Sequence, residues 1–483
     1  MPRLLPAPGQ AWVAESYVWD LCCPEKSRRV TADDDGMALR PWARSVLMAQ
    51  KHLDPRLLER LLQGQISPAE VRELAWHMVE ICPDCAQTVE LDWATASDLG
   101  AESLQTSAPH RAGVRPDAEE AGISFSRVRE RLQETMVILY KEREAAPALL
   151  KELEGHPVER QRILIHNKPR FRTLPVAELL LEEAWSLGFE EPGPAETLAG
   201  LATEILDSMG PTPFGEELLN DLRARSWAYR GNFRRIASDY RGAEEAFQRA
   251  VAYQGTGTGD LLEQARLYGL RSTLCRARSR LAEARHLLQK AIQIYLAIEE
   301  THLAGRSMIE LGVVSMREER HEDAIQLLER GVGMVDADGE PRLLLVAHYN
   351  IVLCLMKQGR FDDAMSNLPN VRRLTVERAS RFDLLRLRWL EGNILLGLGH
   401  EARAEAAYLE VRKEAAEQAA AFELASVSLD LAALYLRQGR HAQIKQLAVE
   451  MLPIFQSRDL HQEAIAALLL FRRAVEMENL TLR

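Results

Sequence analysis

The sequence predicts an all-α protein: a right-handed solenoid of helical hairpins, preceded by a small metal-bound helical hairpin near the N-terminus. Three observations predict it. The composition favours helix, a pattern of about 40 residues recurs through the second half, and histidines and cysteines cluster near the start. Hydrophobic residues make up 47% and charged residues 27% of the 483, but aromatics only 6%. Ala, Leu, Glu and Arg, which lose little on entering a helix, dominate. No segment alternates apolar and polar residues as a half-buried strand would.

Residues 1–45 hold prolines, the run Asp33-Asp34-Asp35 and the pair Cys22-Cys23, and read as an irregular leader. Residues 46–96 carry His52, His77 and the tetrad Cys82-Pro83-Asp84-Cys85. Two thiolates at this spacing reach one ion, and two histidines complete the N2S2 shell that zinc prefers. Pro55–Gly64 and Ser67–Ile81 read as two helices, the second opened by the capping box Ser67-Pro68-Ala69-Glu70. An unbroken helix would point His77 and Cys82 apart, but Pro83 disfavours helix at Cys82 and removes that obstacle. One ion would then staple a hairpin too small to hold itself together. Cys22 or Cys23 could replace His52 in the shell, and oxidation of the thiolates would eject the metal.

Residues 97–116, with several serines and two prolines, read as a linker. Residues 117–213 form an irregular helical region, interrupted at Gly155-His156-Pro157, Lys168-Pro169 and Glu191-Pro192-Gly193-Pro194. Residues 214–483 hold the repeats. Their mark is an alanine, a large residue four on, and a third, mostly small residue three further. It recurs as Ala243/Phe247/Ala250, Ala284/Leu288/Ala291, Ala324/Leu328/Gly331, Ala364/Leu368/Val371 and Ala404/Tyr408/Val411, with a degenerate copy at Ile444/Ala448/Met451. The turn before each also recurs, as Ser279-Arg280, Glu319-Arg320, Gly359-Arg360, Gly399-His400 and Gly439-Arg440. Small residues let two helices approach, and larger ones fill the gap between them.

This pattern resembles the tetratricopeptide repeat (TPR), with Trp227 and Gly231 ahead of Ala243, and Gly312 and Gly392 in later copies. TPRs commonly repeat at about 34 residues, so these units have longer helices, similar to TPRs of bacterial regulators and peptide sensors. The run from His52-Leu-Asp-Pro through His77 to Cys82-Pro-Asp-Cys85 resembles a zinc-binding anti-sigma domain. That resemblance implies contact with a sigma factor. Four residues separate His77 from Cys82, where the family has three.

Counting back from each turn samples one residue per repeat on the first helix. One column reads Arg225, Arg266, Arg306, Val346, Arg386, Ser426. A turn further on lie Tyr349 and Trp389, and beyond them Asn232 and Asn393. Together these residues propose a groove for an acidic partner with an apolar anchor. Solvated arginines over core residues would give the same columns.

The net charge of −11 argues against a nucleic-acid binder, and Arg271–Arg285 lacks interleaved aromatics. No apolar run is long enough to span a membrane, no secretory signal is evident, and six scattered cysteines suit a reducing compartment. The expected location is cytoplasmic. No P-loop, nucleophile elbow or HExxH motif is present, and four protein ligands would close a zinc shell to substrate. The sequence therefore reads as a non-enzymatic regulatory or adaptor protein with a protein or peptide partner. The alternatives are a plain scaffold with structural zinc, or a peptide or small-ligand sensor.

Overall fold

The computed structural model describes residues 137–138, 140–188, 191–209, 215–336, 340–378, 381–418 and 420–457. His52, His77, Cys82 and Cys85, the leader, the hairpin of 46–96 and the linker lie outside the described residues. Among the described residues every regular element is a helix. They fall into two compact units, one ending at Glu300 and the other beginning at Thr301.

The first unit opens with a helical stretch over 140–154. It continues with α1 (Val158–Asn167), α2 (Leu174–Leu187), α3 (Pro192–Ser208), α4 (Glu216–Ile236), α5 (Tyr240–Gln254), α6 (Leu261–Ala277) and α7 (Leu281–Ala297). Helices α2 and α3, α4 and α5, and α6 and α7 pack as hairpins. The second unit holds α8 (Thr301–Arg317), α9 (His321–Val332), α10 (Pro341–Lys357), α11 (Phe361–Arg378), α12 (Arg381–Gly397), α13 (Glu401–Glu417), α14 (Ala421–Arg437) and α15 (His441–Ser457). These pair in the same way, and each second helix packs on the first helix of the following hairpin. The all-α helical-hairpin repeat is therefore present in both units.

The repeat signature is the core of each hairpin. Ala243, Ala284, Ala324, Ala364 and Ala404 are buried without exception, as are Phe247, Leu288, Leu328, Leu368 and Tyr408. The approach is closest where a glycine of the first helix faces the large residue of the second. A Cβ on Gly392 would lie 2.9 Å from Tyr408 Cε1, and one on Gly312 would lie 2.8 Å from Leu328 Cγ. Only a bare backbone leaves room for these side chains in a core packed to crystal-like density.

Each turn within a hairpin from α4 onward repeats one backbone device. A left-handed residue ends the first helix, and the next N–H reaches back five residues to close a Schellman motif. Arg280 N donates to Cys275 O, Arg360 N to Leu355 O and Arg440 N to Tyr435 O, at 2.8 to 2.9 Å. Gly359, Gly399 and Gly439 take the left-handed position at φ +74°, +80° and +71°. Ser279 and Glu319 take it at φ +56° and +60° without glycine's freedom. A left-handed L-residue costs about 1–2 kcal/mol, and glycine's extra unfolded-state entropy gives back part of this. Ser279→Gly and Glu319→Gly should each stabilise by up to about 1 kcal/mol, and Gly399→Ala should destabilise by about as much. Urea titrations followed by circular dichroism would show midpoints moving in those directions. Glycine variants that unfold earlier would refute the assignment.

Candidate functional site

The arginine column of the sequence forms charged seams that tie the first helix of one hairpin to the first helix of the next. In the first unit the seam joins α4 to α6. Arg225 forks onto Glu263, with Nη2 to Oε1 at 2.7 Å and Nε to Oε2 at 3.2 Å. Arg266, one turn on from Glu263 along α6, donates to the same Oε1 at 2.5 Å. Burial opposes every charge in this triad, yet the partners override it. Glu263 is held below the usual carboxylate range by Arg225 and Arg266, and both guanidiniums are shifted upward, chiefly by Glu263.

The second unit builds the same joint three times. Arg306 of α8 donates to Glu340, the residue before α10, at 2.6 Å, with His302 Nε2 3.6 Å from the same oxygen. Burial would raise the Glu340 pKa, but Arg306 and His302 bring it below the ordinary value. Val346 carries no charge, and here Arg342, one turn earlier in α10, approaches Asp383 of α12 at 3.7 Å. Arg386 of α12 reaches Glu423 of α14 at 2.8 Å.

In three of these joints the acid lies deeper than the base. The side chain of Glu263 is 8% exposed against 21% for Arg225, Glu423 7% against 24% for Arg386, and Asp383 2% against 30% for Arg342. The guanidiniums thus sit at the surface above the carboxylates that neutralise them. A second series of ion pairs runs along the turns: Arg278 and Arg280 bind Glu244, Arg360 binds Glu322, and Arg440 binds Glu405.

The other groove residues of the sequence reading are buried. Asn232 is buried and accepts from Arg235 Nε at 3.1 Å. Asn393 is buried and accepts from the Tyr408 hydroxyl at 2.7 Å. Trp389 is buried and its Nε1 donates to Asp430 Oδ2 at 2.8 Å. Tyr349 is buried, and burial pushes its hydroxyl pKa up in a field that includes Arg386, Asp383 and Glu423. Asn393 and Trp389 thus join one helix to another, and all four side chains are buried instead of lining an open wall. Cys275 and Cys354 are also buried, which pushes their thiols to about 11 and about 12.

Sequence reasoning missed the acids. A signal for them exists: Glu263, Asp383 and Glu423 each stand three residues before the arginine column, at Arg266, Arg386 and Ser426. Among the described residues, no helix is long and apolar enough to cross a membrane, and no group of three or more His, Cys, Asp or Glu side chains is placed to hold a metal ion.

No protein-family model matches the chain, and no curated protein matches it. Solved structures do. Aspartyl phosphate phosphatase F from Bacillus subtilis matches at 14% identity and TM-score 0.45, over 86% of this chain and 97% of that one. A signal transduction ATPase with a tetratricopeptide repeat sensor, from Pyrococcus horikoshii, matches at 10% identity and TM-score 0.46, over 88% of this chain and 70% of that one. A Rap protein complexed with competence and sporulation factor matches at 14% identity and TM-score 0.42, over 70% of this chain and 97% of that one. At TM-scores below 0.5 none of them assigns the chain a family or a function.

Proposed function

We propose that the chain is a non-enzymatic regulatory or adaptor protein that binds protein partners through its helical repeats. The seam supports this most directly. In the second unit Arg306, Arg342 and Arg386 are held in fixed poses by acids of the next hairpin, and they keep part of each guanidinium in solvent. Their ordering entropy is already spent in the folded chain, so an acidic partner segment would gain charge-assisted bonds at reduced entropic cost. The burial of Tyr349 and Trp389 favours this reading, or a plain scaffold, over a small-ligand sensor built on those rings.

The same proposal includes the N-terminal module. His52, His77, Cys82 and Cys85 would hold a zinc ion whose binding folds the hairpin, and the module would contact a sigma factor, as its anti-sigma resemblance implies. The support is the donor set and its spacing.

The test uses the full chain as bait, with Arg306→Gln and Arg386→Lys in one variant. Glu340 keeps His302 and Glu423 keeps a cation, so the joints retain charge partners while the planar forks are lost. A protein captured by the parent chain should be recovered at least about tenfold less by the variant, consistent with about 1.4 kcal/mol or more of lost binding. Equal recovery would remove the seam as the binding surface. Metal analysis of the same preparations should find zinc, which Cys82→Ser and His52→Ala deplete. A metal-free parent would refute the ligand set, and a capture without any sigma factor would refute that partner.

A further inference from the structure

The loop between α5 and α6, Gly255-Thr256-Gly257-Thr258-Gly259-Asp260, lies directly on a carboxylate of α4. Asp221 is buried, and its donors are neutral. The Thr258 hydroxyl donates to Oδ2 at 2.6 Å, and the Thr258 N–H lies 3.3 and 3.2 Å from the two oxygens. Beside it, Asn220 Nδ2 donates to Thr256 O at 3.3 Å and Thr256 Oγ1 at 3.1 Å. A Cβ on Gly257 would fall 1.9 Å from Asp221 Oδ1, so the bare glycine backbone is what lets the loop close on the acid.

Two further acids face this one. Asp260 caps α6, accepting from Leu262 N at 2.7 Å and Glu263 N at 3.3 Å. Glu263 follows on α6. The cations nearby are engaged elsewhere: Arg223 of α4 with Glu216, Asp207 of α3 and Asn220, and Arg225 and Arg266 with Glu263. From α5, Tyr253 lies under the Arg223 guanidinium at 5.9 Å.

We propose that the α5–α6 loop is a proton-sensitive strap, in which one proton taken up from solvent by Asp221 tightens the loop's hold between α4 and α6. The proton sits on Oδ2, where the 2.6 Å contact suits an O–H donor to Thr258 Oγ1, and the hydroxyl turns from donor to acceptor. The Thr258 N–H can still bond the carbonyl oxygen. The bond count of the strap is kept, while the repulsion among Asp221, Asp260 and Glu263 falls.

Burial is the chief cause of a carboxyl raised to about 6 at Asp221. Asp260 and Glu263 push the same way, and the bonds from Thr258 oppose them. An unfolded aspartate titrates near 4. The stabilisation is therefore fully present below about pH 4 and is lost as pH rises through about 6. Asp260 is also raised, chiefly by burial and then by Glu263, whereas Glu263 is held low by its arginines.

Hydrogen exchange of the full chain, read on peptides covering 255–260 and corrected for intrinsic rates, tests this between pH 6.5 and 4.5. Protection at Thr258 should rise by up to about tenfold per unit as pH falls from about 6 to about 5. In Asp221→Asn the amide cannot titrate, and the rise should shrink to the part that Asp260 contributes. The same pH dependence in both proteins overturns the proposal. If Asp221→Asn does not fold, carbon-13 spectra of aspartate-labelled parent protein decide. One carboxyl titrating near 6 in step with loop protection supports the strap, and no aspartate titrating between 5 and 7 overturns it.

Discussion

Glu263→Ala should destabilise the first unit by about 3 kcal/mol, at the lower end of the range for breaking one partner out of a buried ion pair. The substitution leaves two guanidiniums, Arg225 and Arg266, converging on a space with no anion. Each is already mostly shielded, at 21% and 18% side-chain exposure, so solvent can repay only part of the lost carboxylate. The lower end applies because neither arginine is fully enclosed. The loss also has a pH signature. The Glu263 carboxyl is held below its ordinary value, so its contribution is present above the unfolded carboxylate value and fades as pH falls through the lowered one. That is opposite in sign to Asp221, one helix away. Urea unfolding at pH 7 and in mild acid would show the difference between parent and variant narrowing as the acid titrates. A loss under about 1 kcal/mol at pH 7 would mean that the arginines relax into water and that the triad adds little.

Asn350→Leu should move stability the other way, by about 1–3 kcal/mol. Asn350 lies in the middle of α10, has no exposed surface, and neither Oδ1 nor Nδ2 has a hydrogen-bond partner among the described residues. Its neighbours along the helix, Ile351, Val352, Leu353 and Cys354, are all buried. An amide stripped of water without replacement bonds forfeits its hydration for nothing. Leucine has a similar branching shape, and it stands at the corresponding place one repeat later, at Leu390, and two repeats earlier, at Leu270. Those positions are also buried. Asn350→Ala separates the causes, because it removes the orphan amide but opens a cavity and should gain less. A leucine variant less stable than the parent, by denaturant titration, would show that the amide is satisfied in solution.

The turn substitutions at Ser279 and Glu319 address a different link of the chain. There the sequence places an ordinary residue where three later repeats use glycine, and the backbone takes the left-handed conformation regardless. Tertiary packing of the hairpin overrides local preference, as it does for the hydrophilic arginines drawn into the seams.

The first helices show where reading the sequence stops. Their periodicity marks Arg225, Arg266, Arg306 and Arg386 as one column, and the structure places each in a joint between successive first helices or beside one. The spacing cannot show which way a long side chain turns. The pairings between hairpins span 34 to 41 residues, as in Arg306 to Glu340 and Arg342 to Asp383. Such a partner is invisible to rules about neighbours three or four residues apart on one helix. Trp389 and Asn393 illustrate the same limit. An aromatic and an amide in a groove column look available for a ligand, but Trp389 Nε1 donates to Asp430 and Asn393 Oδ1 accepts from Tyr408.

By itself the sequence determined the helices, their pairing into hairpins and the period of about 40 residues, because these depend on local backbone preference and on small and large residues recurring at fixed places. Only the tertiary structure decided that Arg225, Arg306 and Arg386 are neutralised from the next hairpin, that Tyr349 and Trp389 are interior, and that the compact units divide at Glu300. The physical reason is range. Helix propensity and steric fit within a hairpin are set by residues near in sequence. The energy of a charge depends on how much water is removed and which opposite charge replaces it, and both are fixed by the stacking of one hairpin on the next.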